Sequence, residues 1–215
     1  MSLPAPKAPA SRGGDGFAGR VAVLIAILAT IGTLFGFIGN SSYNEAALLK
    51  NSAAIDKTSA ANAWNHYQAK SNKQNLAELA TNLPGVDHVH YRAEVLRYQQ
   101  EKDEIRVEAE RWEASSAKFS AQSEEALHRH RQWSLASVAQ QIAISLAAVA
   151  LLARRTWLLG ATVTVAAFGL VIGAFAWLHL EPTPLVAAPF VAALGAILGV
   201  ELLKSLGRRA GPKRG

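Results

Sequence analysis

The chain has no cysteine, which excludes disulfides, thiol nucleophiles and thiolate metal sites and leaves the redox compartment open. Charge is scarce as well: 18% of the 215 residues are charged, whereas half are apolar. Residues 21–39 carry no charge at all. At about 1.5 Å per residue such a run spans roughly 28 Å, close to the thickness of a bilayer core. Proline and glycine are missing from two further stretches, 42–81 and 88–132, which are rich in Ala, Glu, Lys, Gln and Leu. Uninterrupted good helix formers of that length predict two long helices. There is no phosphate-binding loop and no nucleophile elbow, so the sequence gives no sign of an enzyme and names no catalytic residue and no cofactor.

What is present is a series at sevens: Tyr91, Tyr98, Ile105, Trp112, Phe119, Ala126 and Trp133, with mostly charged or polar residues between. Only a long helix places such a series on one stripe, and a repeat of seven is the coiled-coil period. If the series occupies d positions, the a positions are Val95, Lys102, Ala109, Ser116, Ser123 and His130, which are small or polar. The first stretch is dense in alanine, with Leu49, Trp64, Tyr67, Leu76 and Leu79 among them. Alone it makes a poor heptad, so it needs a partner. Between the stretches lie the breakers Asn82-Leu-Pro-Gly85, with Asp87 as N-cap and Val86 and Tyr91 as a hydrophobic staple. Equal arms about one turn predict an antiparallel coiled-coil hairpin over 41–132, with its turn at 82–87. Its simplest register pairs residues whose numbers sum to about 169, with Trp64 opposite Ile105 and Gly36 opposite Trp133. Tyr91, Tyr98, Ile105, Trp112, Phe119 and Trp64 are the expected interaction residues. Trp112→Ala is expected to loosen the hairpin and Glu113→Ala, on the outer face, to leave it intact.

Four apolar segments predict four membrane helices, at 20–40, 133–153, 156–178 and 185–206, and hence an all-α polytopic membrane protein. A disordered tail is expected over 1–19 and a basic tail over 207–215. The first segment exceeds the roughly 7–15 apolar residues of a signal peptide and lacks a clean small-x-small site behind it. The net charge of +6 sits at the ends of these segments. Arg12 and Arg20 precede the first, Arg154-Arg155 separate the second and third, and Arg208, Arg209, Lys213 and Arg214 follow the fourth. Residues 40–133, by contrast, hold 12 basic against 13 acidic residues. That distribution describes membrane orientation and not a nucleic-acid face; both termini are expected in the cytoplasm and the hairpin outside, with only Arg129 and Arg131 dissenting. Trp133, Trp157 and Trp177 fall at alternate faces of this arrangement, as an aromatic belt requires.

Within the spans, Gly32/Gly36, Gly169/Gly173 and Gly195/Gly199 are small-face pairs that let helix backbones approach. Gln140 and Gln141 are amides inside the second span, suited to interhelical hydrogen bonds or a polar path. Glu201 and Lys204 are spaced for a snorkelling ion pair. The pairs His88/His90 and His128/His130 sit two residues apart, which on a helix points their rings to opposite sides and denies either pair a shared metal.

Residues 44–80, NEAALLKNSAAIDKTSAANAWNHYQAKSNKQNLAELA, resemble a bacterial family of uncharacterised membrane proteins, the domain of unknown function family 4337. The core Asn65-His-Tyr-Gln-Ala-Lys70 carries the resemblance best. EVLRYQQEKDEIRVEA at 94–109 and the second-span run QQIAISLAAVALLARRTW are similar to it too. The resemblance covers most of 20–178 and implies no activity and no functional residue. The expectation is therefore a coiled-coil scaffold or adaptor in a bacterial inner membrane, whose partners are the lipid bilayer and a second copy or another membrane protein. No nucleic acid and no small-molecule substrate is expected. The alternative is a small channel or transporter-associated subunit.

Overall fold

The computed structural model describes residues 12–180 and 183–209. The expected tail lies outside the described residues over 1–11, as do 181–182 in the third connection and 210–215 of the basic tail. Four α-helices follow in order: α1 Arg12–Ala80, α2 His88–Ala153, α3 Thr156–Trp177 and α4 Ala188–Arg209, with one turn of 3-10 helix at Pro184–Val186 before α4. No strand occurs among the described residues. Each of the four helices is long and apolar enough to cross a membrane. Helix α1 starts at Arg12, so residues 12–19 are helical where the tail was expected to be disordered. Helix α4 begins at Ala188, three residues inside the expected 185–206, because Pro184–Val186 winds as a separate 3-10 turn.

The helix ends follow from local chemistry. At the end of α1 the chain tightens, with Asn82 N–H donating to Leu79 O and Leu83 N–H to Ala80 O, both at 3.1 Å. Gly85 then takes φ +83°, a left-handed value that favours glycine. The Asp87 carboxylate caps α2 by accepting from the N–H groups of Val89 (3.0 Å) and His90 (3.1 Å). Between α2 and α3 the reversal falls on Arg154, at φ 49°. Helix α3 ends with His179 left-handed at φ 55° and Leu180 N–H donating to Phe175 O at 3.0 Å, the 6→1 bond of a Schellman stop.

The chain divides into two compact units, one of residues 42–128 and one of residues up to 41 and from 129 on; α1 and α2 contribute to both. In the 42–128 unit the two helical segments pair antiparallel. Burial on α1 steps regularly by four and three: Ser42, Ala46, Ala53, Asp56, Ala60 and Ala77 are buried, with Leu49, Ala63, Tyr67, Lys70 and Gln74 half-buried between them. The poor heptad read from this stretch is thus a regular one built of small residues. On α2 the same step joins Ile105, Ala109, Ser116, Ser123 and Ala126, all buried, to the half-buried Tyr91, Tyr98, Trp112 and Phe119.

In the other unit the core is again alanine-rich. On α2, Ala136, Ala143, Ala147 and Ala150 are fully buried. Leu28 of α1, Ala143 of α2 and Ala166 of α3 form a cluster against which Leu24, Ile144 and Val165 pack. Helix α4 touches α3, through Phe168 and Phe190 edge to face at 5.4 Å. None of its apolar window is buried.

Candidate functional site

Two groups of side chains stand out, one in each unit. In the 42–128 unit, Ser116 Oγ donates to Ala53 O and Ser123 Oγ to Ala46 O, each at 2.8 Å and each buried. The donors are seven residues apart on α2 and the acceptors seven apart on α1. A hydroxyl of this length reaches a neighbouring backbone carbonyl only if alanine lines the facing helix, so the bonds and the alanine stripe depend on each other. Both pairs sum to 169, the register the sequence suggested.

Outside this ladder the pair is joined by longer side chains. Lys102 Nζ donates to Gln74 Oε1 at 3.0 Å and lies 5.1 Å from the centre of the Tyr67 ring, a cation–π distance. Lys70 pairs with Glu101 at 2.5 Å. The hydrogen bond from Lys70 holds the Glu101 carboxyl below its ordinary pKa against the opposing effect of desolvation; the charges of Lys70, Arg97 and His66 act in the same direction as the bond. Arg97 is pushed above its ordinary value, first by its hydrogen bond with Tyr98 and then by Glu94 and Glu101.

Of the expected interaction residues, Ile105 is buried and Tyr91, Tyr98, Trp112, Phe119 and Trp64 are half-buried. Tyr91, Tyr98, Trp112 and Phe119 share the inward stripe with Ile105. Trp64 packs edge to face on Tyr67 at 5.6 Å and donates from Nε1 to Glu113 Oε1 at 3.0 Å. Glu113 is therefore not the inert outer-face residue expected: its carboxylate ties α2 to α1. Sequence spacing could not show this, because the bond needs the long reach of both side chains.

In the other unit the buried polar group is Gln140, fully enclosed. Its Nε2 donates to Ala166 O at 3.0 Å, while its Oε1 has no hydrogen-bond partner. Glycines clear the space on both sides. A Cβ added at Gly32 of α1 would lie 3.1 Å from the Cβ of Gln140. One added at Gly169 of α3 would lie 2.7 Å from its Nε2 and 3.0 Å from Ala136 O. Gly173 stands against the Phe35 ring, 2.7 Å from such a Cβ, and Gly36 against Ser137 Oγ at 3.5 Å. Ser137 Oγ donates to Gly32 O at 3.0 Å, and His130 Nδ1 lies 2.8 Å from Gly39 O. Both of these pairs also sum to 169.

The other expected packing residues behave differently. Gln141 is exposed, since one residue turns a helix by about 100°; the two amides do not act as a pair. Gly195 and Gly199 have nothing within 4 Å of an added Cβ. Glu201 and Lys204 pair at 2.9 Å. His88 Nδ1 lies 2.9 Å from Thr81 O at the turn. Among the described residues no group of three or more His, Asp or Glu is placed to hold a metal ion.

Long antiparallel helices with alanine seams, continuing into helices able to cross a bilayer, define an all-helical protein of membrane-spanning capacity. Residues 17–179 match the model of the Domain of unknown function (DUF4337) family, and the chain belongs to that family. Helix α4 lies beyond the matched segment. No curated protein and no solved structure matches the chain.

Proposed function

We propose that this protein is a non-catalytic, membrane-anchored scaffold or adaptor of the bacterial inner membrane. In this reading residues 42–128 form a rigid coiled-coil hairpin outside the cytoplasm, and both termini lie inside. The observation that carries it is the pair of serine-to-carbonyl bonds seven residues apart, Ser116 to Ala53 and Ser123 to Ala46. Such spacing fixes one register over a long segment, and a fixed register suits a part that holds other molecules at defined positions. Basic residues at the helix ends support the orientation.

The alternative, a small channel or transporter-associated subunit, would use the intramembrane amides. Gln140 is closed in between Gly32 and Gly169, an arrangement that favours helix–helix attachment over a polar path. Two measurements separate the readings. Recovery of a defined partner after crosslinking in intact membranes supports the scaffold, and ion conductance by the purified chain in liposomes supports the channel.

A further inference from the structure

Helix α1 has a second regular stripe within the 42–128 unit, on the side away from α2. Leu48, Ile55, Leu76 and Leu79 lie on it, between 58% and 70% exposed. So do the exposed amides Asn51, Asn62, Asn65 and Asn72, and with the exposed Thr58 and Ala69 the steps along the stripe follow the same fours and threes. No Lys, Arg, Asp or Glu falls on this stripe. The charges of the segment lie on the seam with α2 (Asp56, Lys70) or on its flanks (Glu45, Lys50, Lys57, Lys73, Glu78). The corresponding outward side of α2 is mixed: exposed Leu96 and Val107 lie among Arg97, Asp103, Glu104, Glu110 and Arg111. The outward side of α2 thus offers charge to water between its apolar residues, and the stripe of α1 offers none.

We propose that this outward stripe of α1 binds the same stripe on a second copy of the chain, the two helices parallel and in register. The proposal rests on the membrane-anchored hairpin reading, because copies inserted alike in one bilayer present their α1 segments in the same direction. In a parallel, in-register pair each stripe residue meets its own counterpart, as a two-fold interface requires. A charged residue would then face its own charge, and charge is what the stripe lacks. An amide both donates and accepts, so asparagine pairs with asparagine, and in a helical seam such a polar position fixes register at some cost in stability. The leucines and isoleucine meet like side chains. A stripe serving an unrelated acidic or basic protein would carry complementary charge.

The test uses the full chain in its native membrane, with Asn51→Cys as reporter in a sequence that has no other cysteine. Oxidation should join two copies through residue 51, whereas Gln100→Cys, exposed on α2, should not. Adding Asn65→Asp or Asn65→Lys to the reporter should lower crosslinking between identical copies about tenfold, by setting like charges against each other. Co-expressing the Asp and Lys forms should restore it. Two outcomes overturn the proposal: crosslinking no stronger at residue 51 than at residue 100, or loss in both charged forms with no recovery on mixing, which would mean that a different molecule covers the face. A separate chain carrying Ala53→Cys and Ser116→Cys reports the hairpin itself. If that pair closes within one copy while residue 51 fails to join two, self-association is wrong and the hairpin stands. If it does not close, the hairpin reading fails and this proposal fails with it.

Discussion

Glycine shows what one residue can decide in this chain. Three pairs with the same spacing are indistinguishable in the sequence, yet they do different things. A methyl group would crowd Gln140 at Gly32 and the Phe35 ring at Gly173 and would meet fixed atoms at Gly169, whereas Gly195 and Gly199 face open space. At Gly169 the obstacles include the Ala136 carbonyl and the Ala139 Cβ, neither of which can swing aside. Gly169→Ala should therefore destabilise the detergent-solubilised protein by about 1–3 kcal/mol, the usual range for overpacking. Gly199→Ala should be neutral or stabilising by up to about 1 kcal/mol, because alanine is the better helix former. Thermal unfolding of the two variants checks the contrast; equal losses would mean that the α2–α3 approach is not as close as described. The enclosure of Gln140 was likewise only half legible, since adjacent glutamines look equivalent until a neighbouring helix selects one of them.

At the scale of the element, both long helices were legible, but the seam heptad was plain on α2 and hidden on α1, for one physical reason. A heptad of tyrosine, isoleucine, tryptophan and phenylalanine announces itself through hydrophobicity. A heptad of Ser42, Ala46, Ala53, Asp56 and Ala60 has the same period and little hydrophobic contrast. The signal available was the spacing of small residues; the register sum near 169 comes instead from the equal arms about the turn. The turn was readable because Gly85 and Asp87 act locally, while the Trp64–Glu113 bond was not, because it depends on tertiary placement. The ion pair of Lys70 with Glu101 gives the paired helices a pH dependence. Because the folded carboxyl sits below its ordinary pKa, the contribution is fully present above the ordinary carboxylate range and is lost as pH falls through the depressed value. Both groups reach solvent, so the effect is small. Limited proteolysis within 42–128 should quicken on acidification, and Glu101→Gln should reduce the difference between neutral and acid rates. An unchanged difference in that variant would assign the acid sensitivity to other carboxylates.

For the whole molecule, four apolar segments separated by polar stretches made the membrane-spanning capacity readable, whereas sidedness rests on the basic residues at their ends. Alkaline phosphatase fused after Pro84 should be active outside the cytoplasm, and the same fusion after Arg155 should be inactive. The reverse pattern would move the hairpin to the cytoplasm and remove the proposed extracytoplasmic role. Paired cysteines test whether membrane helices carry a single long hairpin of fixed register. In native membranes, Ala53→Cys with Ser116→Cys and, separately, Ala46→Cys with Ser123→Cys should each form a disulfide within one copy of the full chain. Moving one partner to an outward position, as in Ala53→Cys with Ala114→Cys, should abolish it. Disulfides found only between copies, or equally well in the displaced pair, would contradict the hairpin and its register.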